Sequence, residues 1–200
     1  MKQKILVTGG TGFIGSHTTV ELIEAGYEVV IVDNLSNSNA DVIDGIEKIT
    51  GVRPAFEKVD CTDFAALENV FKKYEGIEGI IHFAASKAVG ESVEKPLLYY
   101  SNNLNSLMNI LKIMPKYGTK GLIFSSSCTV YGQPDPENLP VTEQAPIKKA
   151  ESPYGNTKQI CEEIITDYIH SGAPIHSIIL RYFNPIGAHP TAIIGELPNG

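Results

Sequence analysis

Short apolar runs rich in β-branched residues alternate along this chain with longer segments in which apolar residues recur every three or four positions. The short runs are apolar throughout, as is typical of parallel strands covered on both faces. They predict six strands, at 2–9, 28–33, 56–60, 79–84, 121–126 and 176–183. The periodic segments, which often stop at a glycine, predict five helices, at 13–26, 39–50, 63–74, 96–118 and 152–172.

This alternation of strand and helix predicts right-handed βαβ crossovers. The expected fold is therefore an α/β, doubly wound (Rossmann) parallel sheet with helices on both faces. One long irregular stretch, 132–153, contains five prolines. We interpret it as a surface loop that closes over a site, with a passive loop as the alternative.

Charge and cysteine content exclude several classes of protein. A net charge of −7 argues against a nucleic-acid surface, which needs clustered Lys and Arg. Cys61, Cys128 and Cys161 are far apart and form no CxxC pair, so neither a disulfide framework nor a zinc site is expected. The chain opens directly on an apolar run too short for a signal segment, and no later run approaches the ~18 residues of a membrane span. These features predict a soluble, cytoplasmic protein.

A glycine-rich turn follows the first predicted strand and opens the first predicted helix. In "TGGTGFIG", residues 8–15, glycines 9, 12 and 15 have a G-x-x-G-x-x-G spacing. Glycine lets the backbone turn sharply and approach a pyrophosphate, and the helix N terminus presents free N–H groups to it. Glycines also form ordinary tight turns, so a dinucleotide site is predicted only together with its context.

An acidic residue supplies part of that context. Asp33 ends the second predicted strand, eighteen positions after Gly15, where it can accept hydrogen bonds from both hydroxyls of an adenosine ribose. Because its charge would repel a 2′-phosphate, the predicted cofactor is NAD rather than NADP. The alternative is that Asp33 only caps a loop. Asp60, at the end of the third predicted strand, is a second candidate, for the adenine amino group.

Tyr154 and Lys158 lie four residues apart at the start of the last predicted helix, which places both side chains on one face. A phenol titrates near pH ~10, and a nearby positive charge lowers its pKa by stabilising the phenolate. The pair is a candidate for moving a hydroxyl proton while a bound dinucleotide exchanges hydride. The alternative is an uninvolved pair on a helix surface, since Y-x-x-x-K often occurs by chance.

Three serines, Ser125, Ser126 and Ser127, end the fifth predicted strand, at the edge where open α/β sheets bind ligands. One of their hydroxyls could bond both a substrate oxygen and the phenol of Tyr154. The residue types alone leave open which serine does so. Together with the glycine turn and the Tyr–Lys pair, the serines favour a catalytic site.

This combination resembles the extended short-chain dehydrogenase/reductase family, and within it the UDP-glucose 4-epimerase branch. The similarity goes beyond the general Ser…Tyr-x-x-x-Lys pattern and runs the length of the 200 residues. It rests on "DNLSNS" (33–38), "HFAASKAVGESVEKP" (82–96), "YYSNN" (99–103), "SSSCTVYG" (125–132), "SPYGNTK" (152–158) and "LRYFNPIGAHP" (180–190).

The resemblance implies an NAD site that extends over the carboxyl ends of the strands. Phe13 and Ile14 would lie along the pyrophosphate, 33–38 would wrap the adenosine ribose, and Asp60 and Cys61 would flank the adenine. The residues implied for NAD binding are Gly9, Gly12, Phe13, Ile14, Gly15, Asp33, Asn34, Leu35, Ser36, Asn37, Ser38, Asp60, Cys61, Phe83, Ala84, Ala85, Lys87, Asn102, Tyr154, Lys158 and Phe183.

The resemblance also assigns roles in catalysis. Ser127 would face O4 of the sugar, Tyr154 would transfer the proton and Lys158 would bind a ribose of the cofactor. The residues implied for substrate binding are Lys87, Ser127, Tyr154, Phe183 and Asn184.

The implied activity is the interconversion of UDP-galactose and UDP-glucose, a reaction of galactose metabolism, by C4 epimerisation. Tyr154 would take the 4-hydroxyl proton as hydride leaves C4 for NAD. The hydride would then return to the opposite face of a transient 4-keto sugar. Because this exchange is internal, the resemblance implies tightly held NAD that is not released at each turnover.

The resemblance divides the chain after the last predicted strand. Residues 1–184 would form the NAD-binding domain with the catalytic serine, tyrosine and lysine. Residues 185–200 would begin a substrate-binding lobe that relatives continue beyond "GELPNG". The expectation is therefore a truncated lobe, and whether the 200 residues turn over substrate alone is left open.

Two rival functions are weighed against this one. A nucleotide-sugar 4,6-dehydratase also oxidises C4, but it needs an acid–base pair, typically Asp-Glu, where this chain has Cys128 and Thr129. The second rival is a non-catalytic NAD-binding module, which the short chain makes plausible. Sugar-nucleotide turnover would separate the catalyst from the binder. Cys128 stands where these epimerases usually have alanine, a small change that should be tolerated.

The apolar faces of 97–114 and 160–169 exceed what the sheet needs. A two-fold helix-bundle homodimer would use them, as the resemblance also implies, and packing within the chain is the alternative. His82 and His176 lie in or beside apolar runs, so they are interpreted as structural rather than as metal ligands. No metal site is expected.

Overall fold

The structure, a computed structural model, describes residues 2–196. Its strands are β1 Lys4–Thr8, β2 Glu28–Asp33, β3 Ala55–Lys58, β4 Ile77–His82, β5 Gly121–Ser127 and β6 His176–Tyr182. Its helices are α1 Phe13–Glu24, α2 Asp41–Thr50, α3 Phe64–Lys73, α4 Val89–Glu94, α5 Pro96–Ile113 and α6 Pro153–His170. Short 3-10 turns lie at Met114–Tyr117, Cys128–Tyr131 and Pro136–Asn138.

The six strands form one parallel sheet in the order β3-β2-β1-β4-β5-β6. The chain moves outward from β1 to β3, returns to the centre, and continues outward on the other side through β4, β5 and β6. The strand order therefore reverses between β1 and β4, and ligands of open α/β sheets bind in the crevice at such a point. The predicted doubly wound fold is confirmed.

Strands β1 and β2 contribute to two cores because successive side chains point to opposite faces of the sheet. Leu6 and Val30 belong to a cluster that contains residues of α3, α5 and α6. Their neighbours Val7 and Ile31 belong to a second cluster with residues of α1 and α2. Helices thus cover both faces, which explains why the central strands are apolar throughout rather than alternating.

Two elements differ from the sequence expectation. Strand β6 lies at the sheet edge and is only partly covered, with Ile178 59% and Leu180 37% exposed, although its apolar run predicted burial on both faces. Helix α4 was missed because its six residues, "VGESVE", bury only Ser92 and show no apolar stripe. Along residues 2–196, no helix is long and apolar enough to cross a membrane.

The segment after β6 returns toward the first half of the chain. An isolated antiparallel bridge joins Ala188 to Gly195. Ile194 is 5% exposed and packs into the α1–α2 cluster, where Gly45 leaves room for it. The part of the predicted second lobe at 197–200 lies outside the described residues.

Candidate functional site

The glycine turn between β1 and α1 forms a narrow backbone cradle. Gly12 is the N-cap of α1 and, lacking a side chain, places no side-chain cap over the helix N terminus. A Cβ atom on Gly15 would lie 2.2 Å from the carbonyl oxygen of Gly9. Gly9 has φ +69°, and its Cβ would lie 2.7 Å from the nitrogen of Ala84 after β4. Only glycine permits this approach, and the uncapped N–H groups suit a pyrophosphate.

Asp33 joins this turn to the loop that follows β2. Its Oδ2 accepts a hydrogen bond from the nitrogen of Thr11 at 3.2 Å, and its Oδ1 accepts from the nitrogen of Leu35 at 2.9 Å and the hydroxyl of Ser38 at 3.1 Å. The side chain predicted to bind a ribose therefore caps its own loop, as the alternative interpretation expected, and ribose binding stays a prediction. A carboxylate offers about four acceptor positions, which leaves room for a ribose hydroxyl.

The loop 33–38 has a distinctive backbone conformation and is bonded to the loop that follows β3. Leu35 has φ 60°, a left-handed conformation that is uncommon outside glycine. The amide of Asn34 donates to Asp60 Oδ2 at 3.0 Å and ties this loop to the one after β3. Ser36 and Asn37 are exposed, whereas Asn34, Leu35 and Ser38 are half-buried. Residues predicted to surround adenosine therefore converge beyond β2 and β3.

Asp60 and Cys61 differ in what they can offer a ligand. Although burial raises the pKa of Asp60, hydrogen bonds from Thr62 and Asn34 hold it below its ordinary value, so the group is a carboxylate at neutral pH. The thiol of Cys61 lies in the core, and burial raises its pKa to about 12. A contribution of Cys61 to adenine binding would come from its main chain, because its side chain points away from solvent.

Asn103, which sequence reasoning missed, fixes the loop after β4. This amide is 3% exposed, and its Oδ1 accepts from the nitrogen of Ser86 at 2.8 Å. Its Nδ2 donates to the carbonyl of Ser86 at 3.1 Å and to the hydroxyl of Thr157 at 3.0 Å. The neighbouring Asn102 donates to the hydroxyl of Ser86 at 3.1 Å. Asn103 thereby joins the loop containing Phe83, Ala84, Ala85 and Lys87 to helix α6.

The predicted Ser127, Tyr154 and Lys158 meet at the carboxyl end of β5. Helix α6 begins there because the Ser152 hydroxyl accepts from the nitrogen of Gly155 at 3.1 Å and proline occupies the first helical position. Lys158 Nζ lies 5.9 Å from the centroid of the Tyr154 ring. Ser127 is close enough to the Tyr154 phenol to lower its pKa by hydrogen bonding. The structure thus brings together all three residues.

The three serines make separate contacts, which the residue types alone could not assign. The carbonyl of Ser125 accepts from Lys158 Nζ at 2.7 Å. The hydroxyl of Ser126 donates to Glu162, so it is directed away from the phenol. Only the Ser127 hydroxyl contacts Tyr154, and it also accepts from the nitrogen of Thr129 at 3.2 Å.

The prediction that Lys158 lowers the pKa of Tyr154 is wrong. Burial raises the pKa of Tyr154 above its ordinary value, and this outweighs the lowering by the Ser127 hydrogen bond. The Lys158 ammonium donates to a carbonyl instead of the phenol, which accounts for the difference. Burial lowers the pKa of Lys158 itself to about 8. The neighbouring His82 is completely buried, with a pKa of about 3, and its Nδ1 lies 2.7 Å from the Thr8 hydroxyl.

The depressed pKa of Lys158 predicts a specific dependence of stability on pH. Between pH ~8 and pH ~10.5 the unfolded chain binds more protons at this residue than the folded chain, so rising pH stabilises the fold. The free energy of unfolding of the wild type minus that of Lys158→Met should therefore increase by on the order of 3 kcal/mol from pH 7 to pH 10.5. Urea unfolding of both proteins across this range measures it. If the difference in the free energy of unfolding does not change with pH, the pKa of Lys158 is not lowered in the folded protein.

The remaining predicted residues lie at the same edge of the sheet but are more open. Lys87 is exposed, with its Nζ 3.7 Å from Glu196 Oε1. Phe183, 57% exposed, and Asn184 follow β6, whose last residue Tyr182 pairs with Ser127. They therefore lie near the carboxyl end of β5 without being enclosed.

The sequence matches the model of the NAD dependent epimerase/dehydratase family over residues 5–197. It is 52% identical over 197 residues to a UDP-glucose 4-epimerase of Bacillus subtilis, covering 98% of this chain and 57% of the relative. It is 50% identical over 203 residues to UDP-glucose 4-epimerase 2 of Arabidopsis thaliana, covering 100% of this chain and 57% of that protein. The chain thus spans little more than half the length of these relatives.

Solved structures show the same fold. A UDP-glucose 4-epimerase from Bifidobacterium longum, in complex with NAD+ and UDP, superposes with a TM-score of 0.94 at 46% identity, covering 99% of this chain and 58% of that one. The enzyme from Stenotrophomonas maltophila, with bound NAD and formylated UDP-arabinopyranose, gives 0.94 at 45% identity over the same shares. With its parallel sheet, glycine cradle and Ser–Tyr–Lys cluster, the chain belongs to the NAD dependent epimerase/dehydratase family.

Proposed function

We propose that the protein to which this chain belongs is an NAD-dependent UDP-glucose 4-epimerase that interconverts UDP-galactose and UDP-glucose. The convergence of Ser127, Tyr154 and Lys158 beside the glycine cradle is the observation that carries the proposal. The relatives' names and the NAD and UDP bound to two structural neighbours support it. Cys128 and Thr129, in place of an acid–base pair, disfavour the dehydratase alternative.

The described residues fit NAD. The space that a Cβ on Gly15 would fill is taken by the Gly9 carbonyl, so the turn stays narrow and the uncapped end of α1 can face a pyrophosphate. Asp33 would hold the adenosine ribose and Asp60 with Cys61 would flank the adenine. When bound, NAD would supply the hydride acceptor for C4 of the sugar and then the donor. The negative charge of Asp33 favours NAD over NADP.

The side chains of the cluster would transfer the proton of the sugar's 4-hydroxyl. The Ser127 hydroxyl holds the Tyr154 phenol in place beside the sugar's 4-hydroxyl, and the tyrosine removes and later returns that proton. Lys158 has three N–H donors, of which one reaches the carbonyl of Ser125. The others are available for a ribose hydroxyl and for stabilising the phenolate. Lys87, Phe183 and Asn184 would border the nucleotide sugar.

We propose the same division of the chain that the sequence suggested. Residues 1–184 would be the NAD-binding domain with the catalytic residues, since they contain the whole sheet and the cluster at its carboxyl edge. Residues 185–200 would begin the substrate-binding lobe. The exposure of Phe183 and Asn184 at this junction is compatible with a nucleotide sugar lying against it.

Turnover tests the proposal directly. The purified chain is incubated with UDP-galactose, with and without added NAD, and the anomeric proton of the sugar is followed by NMR. A UDP-glucose signal is the expected result. Binding of NAD without conversion by the 200 residues alone would favour a non-catalytic NAD-binding module for this chain, and the same result from folded protein that includes the substrate-binding lobe would overturn the catalytic proposal.

We also propose a homodimer formed through α5 and the adjoining α4, whereas the apolar face of 160–169 packs within the chain, as the alternative interpretation held. Val93, Leu97 and Leu98 are 62%, 81% and 49% exposed, although α5 buries much of its length within the chain. Replacing Val93 and Leu97 by serine is expected to shift the protein from dimer to monomer in light scattering after gel filtration, because apolar contact area is lost. Ile186→Ser, at a residue 92% exposed beyond β6, is the control and should stay dimeric. A monomeric wild type would refute the dimer.

A cytoplasmic location is proposed on the basis of the cysteines. Cys61, Cys128 and Cys161 are free thiols in the structure, and such thiols persist in reducing compartments. Burial raises the pKa of Cys161 to about 11, which suppresses its reactivity. Recovery of the native protein from a secreted fraction would contradict this location.

A further inference from the structure

Helix α6 is attached to strand β5 at three consecutive strand residues. Tyr154, Lys158 and Glu162 are spaced by four and lie along one side of the helix. They bond, respectively, to the hydroxyl of Ser127, the carbonyl of Ser125 and the hydroxyl of Ser126. The first two attachments involve the catalytic side chains. The third, at Glu162, has no role in the proposed proton transfer.

The carboxylate of Glu162 is fully engaged. It is 7% exposed, and its Oε1 accepts from the Ser126 hydroxyl and from Arg181 Nε at 3.1 Å. Its Oε2 accepts from Arg181 Nη2 at 2.7 Å. The remaining side of the guanidinium is held by Tyr131, whose hydroxyl accepts from Nη1 at 3.0 Å and whose ring centroid lies 4.9 Å from the guanidinium carbon.

These partners come from β5, from β6 and from the 3-10 turn that follows β5. Ser126 and Arg181 are paired neighbours in β5 and β6, so their side chains leave the sheet on the same face. Tyr131 ends the 3-10 turn that begins immediately after Ser127. Glu162 therefore fixes α6 against two strands and the turn at once. The planar two-bond geometry of Arg with a carboxylate specifies both distance and orientation.

We propose that Glu162, held by Ser126 and Arg181, is a positioning residue that sets the register of α6 and thereby places Tyr154 and Lys158 against Ser127. The inference rests on the proposed epimerase function for its kinetic consequence. A partly buried ion pair adds little net stability, and its attested benefit is to select one arrangement of neighbouring elements. In this site, the selected position of α6 fixes where the Tyr154 phenol and the Lys158 ammonium lie relative to Ser127.

The charge of Glu162 gives the proposal a readout independent of turnover. Lys158 is faced by Tyr154, Cys161 and Glu162 on its own helix and by His82 of β4. Burial lowers the pKa of Lys158, whereas a thiolate at Cys161 or the carboxylate of Glu162 raises it. Cys161 is itself a neutral thiol at neutral pH, because burial raises its pKa to about 11. Glu162 is therefore the anion that acts on Lys158 in this range.

The test compares Glu162→Gln with Glu163→Gln, which removes the same charge from the adjacent exposed position. In protein without NAD, the pKa of Lys158 is measured by NMR of ¹³C-labelled lysine, with the signal assigned by its loss in Lys158→Met. Glu162→Gln is expected to lower this pKa by about 0.5 to 1 unit. With NAD and UDP-galactose, kcat should fall by about 10- to 100-fold with KM within about threefold, and the alkaline limb of kcat should move to lower pH.

The outcomes separate this inference from the proposed function. If Glu162→Gln matches Glu163→Gln in both the Lys158 pKa and kcat, the positioning role is overturned. If the wild-type chain of 200 residues does not turn over, the Lys158 pKa alone decides the inference. Should Glu162→Gln not fold, Ser126→Ala replaces it. That variant keeps the ion pair, and a kcat lowered by about three- to tenfold supports the role, whereas an unchanged kcat overturns it.

Discussion

Replacement of Tyr154 by phenylalanine should lower turnover of UDP-galactose by about 100- to 10,000-fold while NAD affinity stays within about threefold of the wild type. The substitution removes only the hydroxyl that bonds to Ser127 and keeps the ring beside Lys158. Without that oxygen, the cluster has no group placed to remove the proton of the 4-hydroxyl. The loss should therefore appear in kcat rather than in binding.

Two measurements check this expectation. NMR of the anomeric proton gives turnover, and a fluorescence titration gives NAD affinity. Tyr117→Phe, which deletes a phenol hydroxyl beyond α5 where the ring packs on Phe71, is the matched control and should retain full activity. If Tyr154→Phe keeps more than a tenth of wild-type kcat, another group performs the proton transfer and the assignment of Tyr154 is wrong.

Gly15→Ala should abolish measurable NAD binding, with an apparent Kd raised at least 100-fold. The new Cβ would lie 2.2 Å from the carbonyl oxygen of Gly9 and 2.8 Å from the Cα of Gly10. Since both are backbone atoms, the turn itself must shift, and the N–H groups at the start of α1 move with it. Overpacking of this kind costs about 1 to 3 kcal/mol, so the free energy of unfolding should also fall.

The control for this substitution is Gly90→Ala in α4, where an added Cβ meets no atom within 4 Å. Titration with NAD and urea unfolding are performed on both variants. Gly90→Ala should bind NAD as the wild type does and be no less stable, since alanine favours a helix. Wild-type NAD affinity in folded Gly15→Ala would show that the cofactor does not depend on this turn.

The central sheet could be predicted because its strands leave an unambiguous pattern. Strands buried on both faces are apolar at every position, and glycines or polar loops separate them from the helices. Strand β6 shows the limit of this rule. Its "SIIL" resembles the central strands, yet its position at the sheet edge leaves Ile178 and Leu180 exposed. Position within a sheet is a property of the fold rather than of the local composition.

The sequence predicts the parts of the candidate site whose geometry a local backbone motif determines. It predicts less well the parts that depend on hydrogen bonds between side chains far apart in sequence. The turn at Gly9–Gly15 and the Tyr154–Lys158 spacing determine local structure directly. Asn103, Glu162 and Arg181 give no such local signal. Asn103 bonds to Ser86 and Thr157, 17 and 54 positions away. Glu162 bonds to Arg181 and Ser126, 19 and 36 positions away, and Arg181 also bonds to Tyr131, 50 positions away. A buried amide or carboxylate is revealed only when distant elements pack together.

The pKa of Tyr154 illustrates a further limit. Helical spacing correctly predicts that Lys158 lies near the ring. It does not predict that the ammonium bonds to the carbonyl of Ser125 or that burial is the largest influence on the phenol. Electrostatic effects depend on desolvation and on competing partners, and both follow from tertiary packing.

In the proposed reaction, this site inverts C4 by oxidising it and returning the same hydride to the opposite face. This reaction is tested most directly with UDP-galactose carrying deuterium at C4, incubated with the protein and NAD in ordinary water. We expect UDP-glucose that retains deuterium at C4, with no conversion by Tyr154→Phe. Replacement of the deuterium by solvent hydrogen during conversion, or no conversion by folded protein with NAD bound, would contradict the proposed reaction.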